Sequence, residues 1–269
     1  MSRSRSRLWP VSLLLSLAPL ASCAAHHAEH AHAAGHWGYD PDDGPSHWCD
    51  LDPANDACCH GREQSPIDIR TAQARSDSPP KLAFAYPPST FSVANNGHTV
   101  QAKLEVDAAR CGITLGGVAY ELQQFHVHAP SEHTLNGKHS PLEIHLVHKS
   151  ASGDLAVVGL LVEQGAANAE LAKVWRLAPD HEGPGGVAVG VNLANVLPSS
   201  HVNFRYAGSL TTPPCSEHVH WIVMQTPITM SEDQIVKIEA MFAAPEFPDG
   251  NCRPVQPLGA RTVELDSGS

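Results

Sequence analysis

"QFHVHAPSEH", residues 124–133, sets two histidines one residue apart, follows them with a Pro-interrupted loop and then places a Glu. Histidine is an indifferent strand former, and a half-buried strand has no general reason to carry two on one face. Side chains alternate along a strand, so Gln124, His126 and His128 point one way while Phe125 and Val127 point the other. The stretch "LEIHLVH" (142–148) sorts the same way. Glu143, His145 and Val147 share one face; Ile144, Leu146 and His148 share the opposite one. If the two strands are antiparallel neighbours, His126, His128 and His145 converge. Three protein ligands with an open fourth position describe a catalytic rather than a structural zinc site. Ligating histidines hand their second N–H to an acceptor, and Gln124 and Glu143 are placed to orient His126 and His145. Among 18 histidines one His-x-His pair is weak evidence; both orienting partners at matching parity make coincidence a poor account.

Outward from this core, residues from about 60 read as short strands separated by Pro, Gly and Asn turns. Phe91–Val93, Thr99–Val106, Tyr120–His128, Leu142–His148, Leu155–Val162 and Val219–Met224 are alternating or wholly apolar runs. A helix is expected from Ser231: Ser231 and Gln234 have capping-box spacing, and Ile235, Ile238 and Phe242 form a helical stripe. "GPGGVAVG" (183–190) reads as a loop, because no strand feeds it and no helix follows. The expected fold class is mainly β (α+β): one domain over 36–269 with a central, mostly antiparallel sheet and a few peripheral helices.

Residues 1–22 read as a secretory signal, with Arg3, Arg5 and Arg7 before the apolar run Leu8–Leu20 and small residues after it. Its 13 residues fall short of the roughly 20 a membrane-spanning helix needs. Leu20-Ala21-Ser22-Cys23 is similar to a bacterial lipobox, which would make Cys23 the lipidated first residue of a lipid-anchored protein in the periplasm or cell envelope. Residues 23–35 carry His26, His27, His30 and His32 among Ala and Gly, a composition that suits a flexible tether or a metal-collecting tail. The formal net charge of −11 argues against nucleic acid as a partner, since that affinity rests on Lys and Arg. Apart from Cys23, six cysteines remain: Cys49, Cys58, Cys59, Cys111, Cys215 and Cys252. An even number in an exported chain points to disulfides. Cys58 and Cys59 are poor partners for each other, being adjacent.

The chain resembles the α-class carbonic anhydrases, most of all their bacterial members. The resemblance runs through "HWGYDPDDGPSHW" (36–48), "GREQSPIDI" (61–69), "NNGH" (95–98), "FHVHAPSEHTLNGKHSPLEIHLVHK" (125–149), "YAGSLTTPPC" (206–215) and "NCRPVQPL" (251–258), in family order. It implies a twisted sheet of about ten strands, a Zn2+ cofactor, and hydration of carbon dioxide to bicarbonate and a proton. His126, His128 and His145 match the zinc ligands. Thr211 matches the threonine that accepts a hydrogen bond from zinc-bound hydroxide, and Glu132 the glutamate that accepts from that threonine. Thr212 follows on the substrate side. Val147, Val157, Leu210, Val219 and Trp221 match the apolar wall for carbon dioxide. His98 matches the proton-shuttle histidine, and Tyr39 and Asn96 match residues holding a water chain. Cys59 and Cys215 match the disulfide of exported members. "WCDLDPANDACC" (48–59) looks like an insertion that Cys49 and Cys58 could close, leaving Cys111 with Cys252. A zinc-binding or zinc-buffering lipoprotein, or an inactive carbonic anhydrase-like module, stands as the alternative.

Overall fold

The structure is a computed structural model, and it describes residues 36–76, 79–105 and 110–268. The signal segment 1–22, the segment 23–35 and Cys23 lie outside the described residues.

In chain order the strands are β1 (Asp68–Ile69), β2 (Leu82–Ala85), β3 (Ser89–Asn95), β4 (Val100–Leu104), β5 (Gly112–Leu115), β6 (Val118–His128) and β7 (Thr134–Leu135). They continue with β8 (Leu142–Ser150), β9 (Leu155–Gln164), β10 (Gly183–Val191), β11 (Asn203–Ser209), β12 (Glu217–Met224), β13 (Ile228–Met230) and β14 (Glu264–Asp266). Twelve of them form one sheet whose main path runs β10-β3-β4-β6-β8-β9-β12-β11-β14, while β1 and β7 form a separate parallel pair. The large sheet is antiparallel except where β12 and β13 run parallel to β9. The expected class therefore holds, with two more strands than the sequence implied.

One of the additions corrects the reading of 183–190 as a loop. Gly183–Val191 pairs antiparallel with β3 at the end of the sheet path, with two register irregularities. Glycines and interrupted alternation hide such a strand from sequence. As an edge it packs little, and Val187 and Val189 stay 59% and 71% exposed.

The middle strands are buried on both faces, and parity divides their side chains between two apolar clusters. Ile144 and Leu146 of β8, Val158 and Leu160 of β9, and Ile222 and Met224 of β12 pack into the larger one. Val147, Val157, Val219, Trp221 and Val223 pack into the other. Burial of this kind stabilises by roughly 25 cal/mol per Å² of apolar surface.

Among the described residues four α-helices lie outside the sheet: α1 (Trp48–Leu51), α2 (Ala57–His60), α3 (Ala169–Trp175) and α4 (Glu232–Met241). The first two lie in the "WCDLDPANDACC" segment. α4 begins as its sequence foretells, with Gln234 N donating to Ser231 Oγ at 3.4 Å and Ser231 N donating to Gln234 Oε1 at 3.1 Å. Gln234 also exchanges hydrogen bonds with the backbone of Asn168, whose side chain caps α3, so one residue fixes the starts of two helices.

His148 falls on the core face of β8. Its Nε2 lies 2.8 Å from the Tyr86 hydroxyl and its Nδ1 3.2 Å from Ala156 O. The ring is thus neutral, accepting from Tyr86 and donating to Ala156, and burial pushes its pKa down to about 4. The unfolded histidine titrates near 6.5. Between those values the unfolded chain binds the extra proton, so stability falls as pH drops through the window and is unaffected by this group above it. The full loss below about pH 4 is about 3 kcal/mol. Urea unfolding at pH 7, 5.5 and 4.5 should show a shallower pH dependence for the double variant Tyr86→Phe, His148→Met, which removes the Tyr86 hydroxyl together with the ring it meets; an unchanged slope excludes His148 as a source.

Candidate metal centre and its surroundings

β6 and β8 place His126 directly opposite His145 and His128 opposite Glu143. The ring centroids lie 5.0 Å apart for His126–His128, 5.3 Å for His126–His145 and 4.6 Å for His128–His145. One nitrogen from each of the three falls within 4.8 Å of those of the others.

Two of the rings have their other nitrogen hydrogen-bonded, and the third has its own close to a carboxylate. His126 Nδ1 is 2.9 Å from Gln124 Oε1, and His128 Nδ1 is 2.7 Å from Asn251 O. His145 Nε2 lies 3.0 Å from Glu143 Oε1, within ion-pair range though outside hydrogen-bond geometry. What remains pointing inward is His126 Nε2, His128 Nε2 and His145 Nδ1. His128 Nε2 is buried with no hydrogen-bond partner, a costly state for a polar atom unless something else binds there. Burial lowers the pKa of all three rings, His126 well below the ordinary value, His128 to about 4, and His145 less so. Neutral imidazole is the form that binds a metal, so the donor set and its protonation fit a cation such as zinc.

Glu143 extends the arrangement into the core. Burial alone would raise its pKa, yet His133 and His145 facing it hold it well below the carboxylate range. It accepts from His133 N and His133 Nδ1, both at 2.8 Å. His133 Nε2 then meets the Tyr206 hydroxyl at 2.6 Å, and Tyr206 meets Ser65 Oγ at 2.8 Å.

Glu132 is fully buried, and its Oε2 sits 3.5 Å from His128 Nε2 and 3.7 Å from His145 Nδ1. Burial pushes its pKa up to about 7, against the downward pull of His145, the Thr211 hydroxyl and the Arg253 N–H. That N–H donates to Glu132 Oε1 at 2.9 Å. Thr211 is buried in the loop after β11, with Thr212 half-buried beside it. Val147, Val157, Leu210, Val219 and Trp221 gather in one apolar cluster, and Trp221 Nε1 donates to Ser209 O at 2.9 Å, fixing the strand end before Thr211.

His98 lies half-buried in the turn between β3 and β4. Asn96 Oδ1 accepts from His98 N at 3.1 Å and Thr99 N at 2.9 Å, so this side chain shapes the turn. Trp37 stacks on the His98 ring, with centroids 3.8 Å apart and planes 10° off parallel. Tyr39 is buried among Trp37, Trp48 and Phe247.

Comparison with known proteins places this geometry. Residues 43–267 match the family model described as eukaryotic-type carbonic anhydrase. The chain belongs to the α-carbonic anhydrase family. It is 43% identical over 231 residues to the carbonic anhydrase of Klebsiella pneumoniae, covering 86% of this chain and 91% of that one. It is 42% identical over 232 residues to the carbonic anhydrase of a Nostoc strain, covering 84% of each. Among solved structures, the α-carbonic anhydrase of Thermovibrio ammonificans in complex with the inhibitor sulfanilamide superposes with a TM-score of 0.80 at 41% identity, over 86% of this chain and all of that one. The chain is thus a member of an enzyme family whose reaction is the hydration of carbon dioxide.

Reasoning from sequence missed several residues around this carbonic anhydrase centre. Asn251 supplies the carbonyl for His128 and also binds Ala129 N, Val127 O and His98 O through its side chain. The buried Arg253 guanidinium donates to Gln64 Oε1, Ser65 O and Cys58 O at 2.8, 2.8 and 2.6 Å. His133, Tyr206 and Trp37 were equally unassigned. The only signal was their membership of motif stretches, which names no role.

The cysteine pairing differs from expectation. The bonds are Cys58–Cys215 and Cys49–Cys59, rather than Cys59–Cys215 and Cys49–Cys58, and Cys111 and Cys252 are free. Successive helical residues point about 100° apart, and in α2 it is Cys58 that faces inward while Cys59 is exposed. Cys111 sits in the main apolar core and Cys252 in the loop beside Glu132, so no bond joins them. Chain-entropy arguments give about 5 kcal/mol for the 157-residue closure and about 3 for the 10-residue one. The variant Cys49→Ser, Cys59→Ser should keep a linked 58–215 peptide under non-reducing digestion and lose less stability in urea than Cys58→Ser, Cys215→Ser. A free Cys58 in the first variant would reverse the assignment.

Proposed function

We propose that this chain is a zinc-dependent carbonic anhydrase, exported from the cytoplasm, that interconverts carbon dioxide with bicarbonate and a proton. The observation that carries it is the set of three neutral imidazoles whose nitrogens converge beside an apolar wall, two of the rings hydrogen-bonded at the other nitrogen and the third facing the Glu143 carboxylate. His126 Nε2, His128 Nε2 and His145 Nδ1 would hold the metal. Bound zinc supplies a nucleophile at neutral pH by lowering the pKa of water to about 7, for which carbonic anhydrase is itself the standard example.

The remaining work belongs to the chain. Thr211 has one hydroxyl proton; giving it to Glu132 leaves its oxygen only able to accept. The nucleophile must then donate to Thr211, which selects a hydroxyl and turns its lone pair towards the substrate. Glu132 has to be ionised for this. A cation held by the three imidazoles would favour that form over the protonated one that burial promotes. Carbon dioxide is apolar and needs a dry surface, which Val147, Val157, Leu210, Val219 and Trp221 supply, with Thr212 at the substrate side. His98 carries the released proton outward, as an imidazole near neutral pH can accept and release it in turn. Tyr39 and Asn96 line the same route.

Two disulfides fit an oxidising compartment, and among the described residues no helix is long and apolar enough to cross a membrane. We read 1–22 as the signal, 23–35 as a tether and 36–269 as one catalytic domain. Cys23 is the lipidated N-terminus, in the periplasm or cell envelope. The mass of the mature N-terminal peptide decides that last point.

Carbon dioxide hydration by the purified chain should disappear when zinc is chelated and return when it is restored, at one zinc per chain. A chain that holds the zinc and runs no faster than buffer leaves zinc binding as its function. His98→Ala should slow turnover in weak buffer at least about tenfold, with recovery in imidazole; unchanged turnover in weak buffer removes His98 from the route.

A further inference from the structure

A cavity of about 470 Å³ opens between the β5–β6 hairpin, strands β11 and β12, and residues 260–264. None of His126, His128, His145, Glu132 or Thr211 lines it. Its walls are largely apolar: Leu115, Tyr120 and Ile222 come from the larger apolar cluster, and Pro80 joins them. Sites for small molecules have this size and pair an apolar lining with a few placed polar groups.

The charge of the lining runs against that of the chain. The formal net charge is −11, yet Arg205, Arg261 and His220 line the cavity against one carboxylate, Glu264. Arg205 is committed to the Asp266 carboxylate, Asn203 Oδ1 and Pro80 O. Arg261 is not neutralised. Its guanidinium lies over the Tyr206 ring and donates only to main-chain carbonyls, those of Gln64 and Pro257 at 2.8 Å and of Ala207 and Leu258 at 3.0 Å. Among the described residues no carboxylate lies within ion-pair distance of it. A guanidinium carries one more N–H than these bonds use, and the spare one is on Nη1. Tyr120 is a second unused donor. It is only 5% exposed and its ring meets the His220 ring edge-on at 6.1 Å, yet its hydroxyl has no hydrogen-bond partner among the described residues. Buried tyrosine hydroxyls usually find one. Burial raises the Tyr120 pKa, so the hydroxyl keeps its proton and can donate it.

We propose that this cavity is a binding site for a small aromatic carboxylate. The ring packs on Leu115, Tyr120 and Ile222, while the carboxylate meets the Arg261 charge and accepts from the Tyr120 hydroxyl. A neutral ring would leave both donors unused, and a bare inorganic anion would leave the apolar walls wet. Only a ligand with both parts suits the whole lining. The site is separate from the imidazoles and does not depend on the reading of the metal centre.

The test is calorimetric titration of the zinc-loaded chain with 2-naphthoate and with its neutral counterpart, 2-naphthalenemethanol. Naphthoate should bind at one per chain and more tightly than the alcohol. Y120F should weaken naphthoate at least about fivefold, the loss expected for a hydrogen bond to a charged group. Its urea stability should match the parent chain, because the hydroxyl it removes has no partner. H220E, which sets a negative charge at an exposed lining position, should weaken naphthoate and leave the alcohol unchanged. A207F and T262F, at two further exposed lining positions, should each fill the space and abolish binding of both. Carbon dioxide hydration should be unchanged in all four variants. The proposal is overturned if naphthoate gives no binding heat or if the alcohol binds as tightly as naphthoate. It is equally overturned if naphthoate affinity survives both A207F and T262F, which would put the ligand elsewhere, or if neither Y120F nor H220E changes that affinity.

Discussion

Everything at the candidate centre depends on one extra residue in β6. The pairing with β8 runs Leu122 opposite His148, then slips so that Gln124 is opposite Val147. The bulge at Gln123 reverses the parity of the strand. Before it, Tyr120 and Leu122 are buried in the main core; after it, Phe125 and Val127 are. Without the slip, the histidines at 126 and 128 would share a face with Tyr120 and Leu122. With it, one strand serves the apolar core along its whole length and still turns two imidazoles to the other side. The bulge is thus what makes a face carrying the imidazoles compatible with a continuous core.

Having turned the histidines inward, the fold has to satisfy them in a dry interior. Unpaired buried charge is expensive, and its removal from a pair is strongly destabilising. The solution is a shared carboxylate. Glu143 faces both His145 and His133, and His133 continues to Tyr206 and Ser65. Space for this is made by Gly159, paired opposite His145 on β9. A Cβ there would come within 2.9 Å of Glu143 Oε1, while meeting Val223 and Trp221 only at ordinary contact distance. The glycine is therefore what leaves room for the carboxylate between the two strands.

The legible part of the molecule was the part written in short-range parity. His126, His128, His145, Gln124 and Glu143 could be grouped from two strands alone, as could the capping box of α4. What escaped was written in phase or in distance. The bulge is invisible because Gln123 is one polar residue in a run that reads as strand either way. The cysteines failed by one position because the phase of a four-residue helix cannot be read from a vicinal pair. β10 failed because its glycines suppress the alternation that marks a strand. Asn251 and Arg253 act through atoms whose partners lie 120 or more residues away, and no local pattern carries that.

The twin-disulfide segment shows why such distant ties matter. Cys58 and Cys215 are covalently joined, and the Cys58 carbonyl accepts from Arg253, whose own N–H meets Glu132. On its other side the segment presents Trp48, whose Nε1 donates to Gly38 O at 3.0 Å and whose ring meets Trp37 edge-on at 5.4 Å. Trp37 in turn stacks on His98. One small covalent block is thereby attached both to the carboxylate beside the imidazoles and to the aromatic plate that holds the outer histidine. Cys49–Cys59 closes that block on itself, so its two ends cannot drift independently. A loop of that length would otherwise be free to fray. Crosslinked, it ties the surroundings of the three imidazoles to those of the outer histidine.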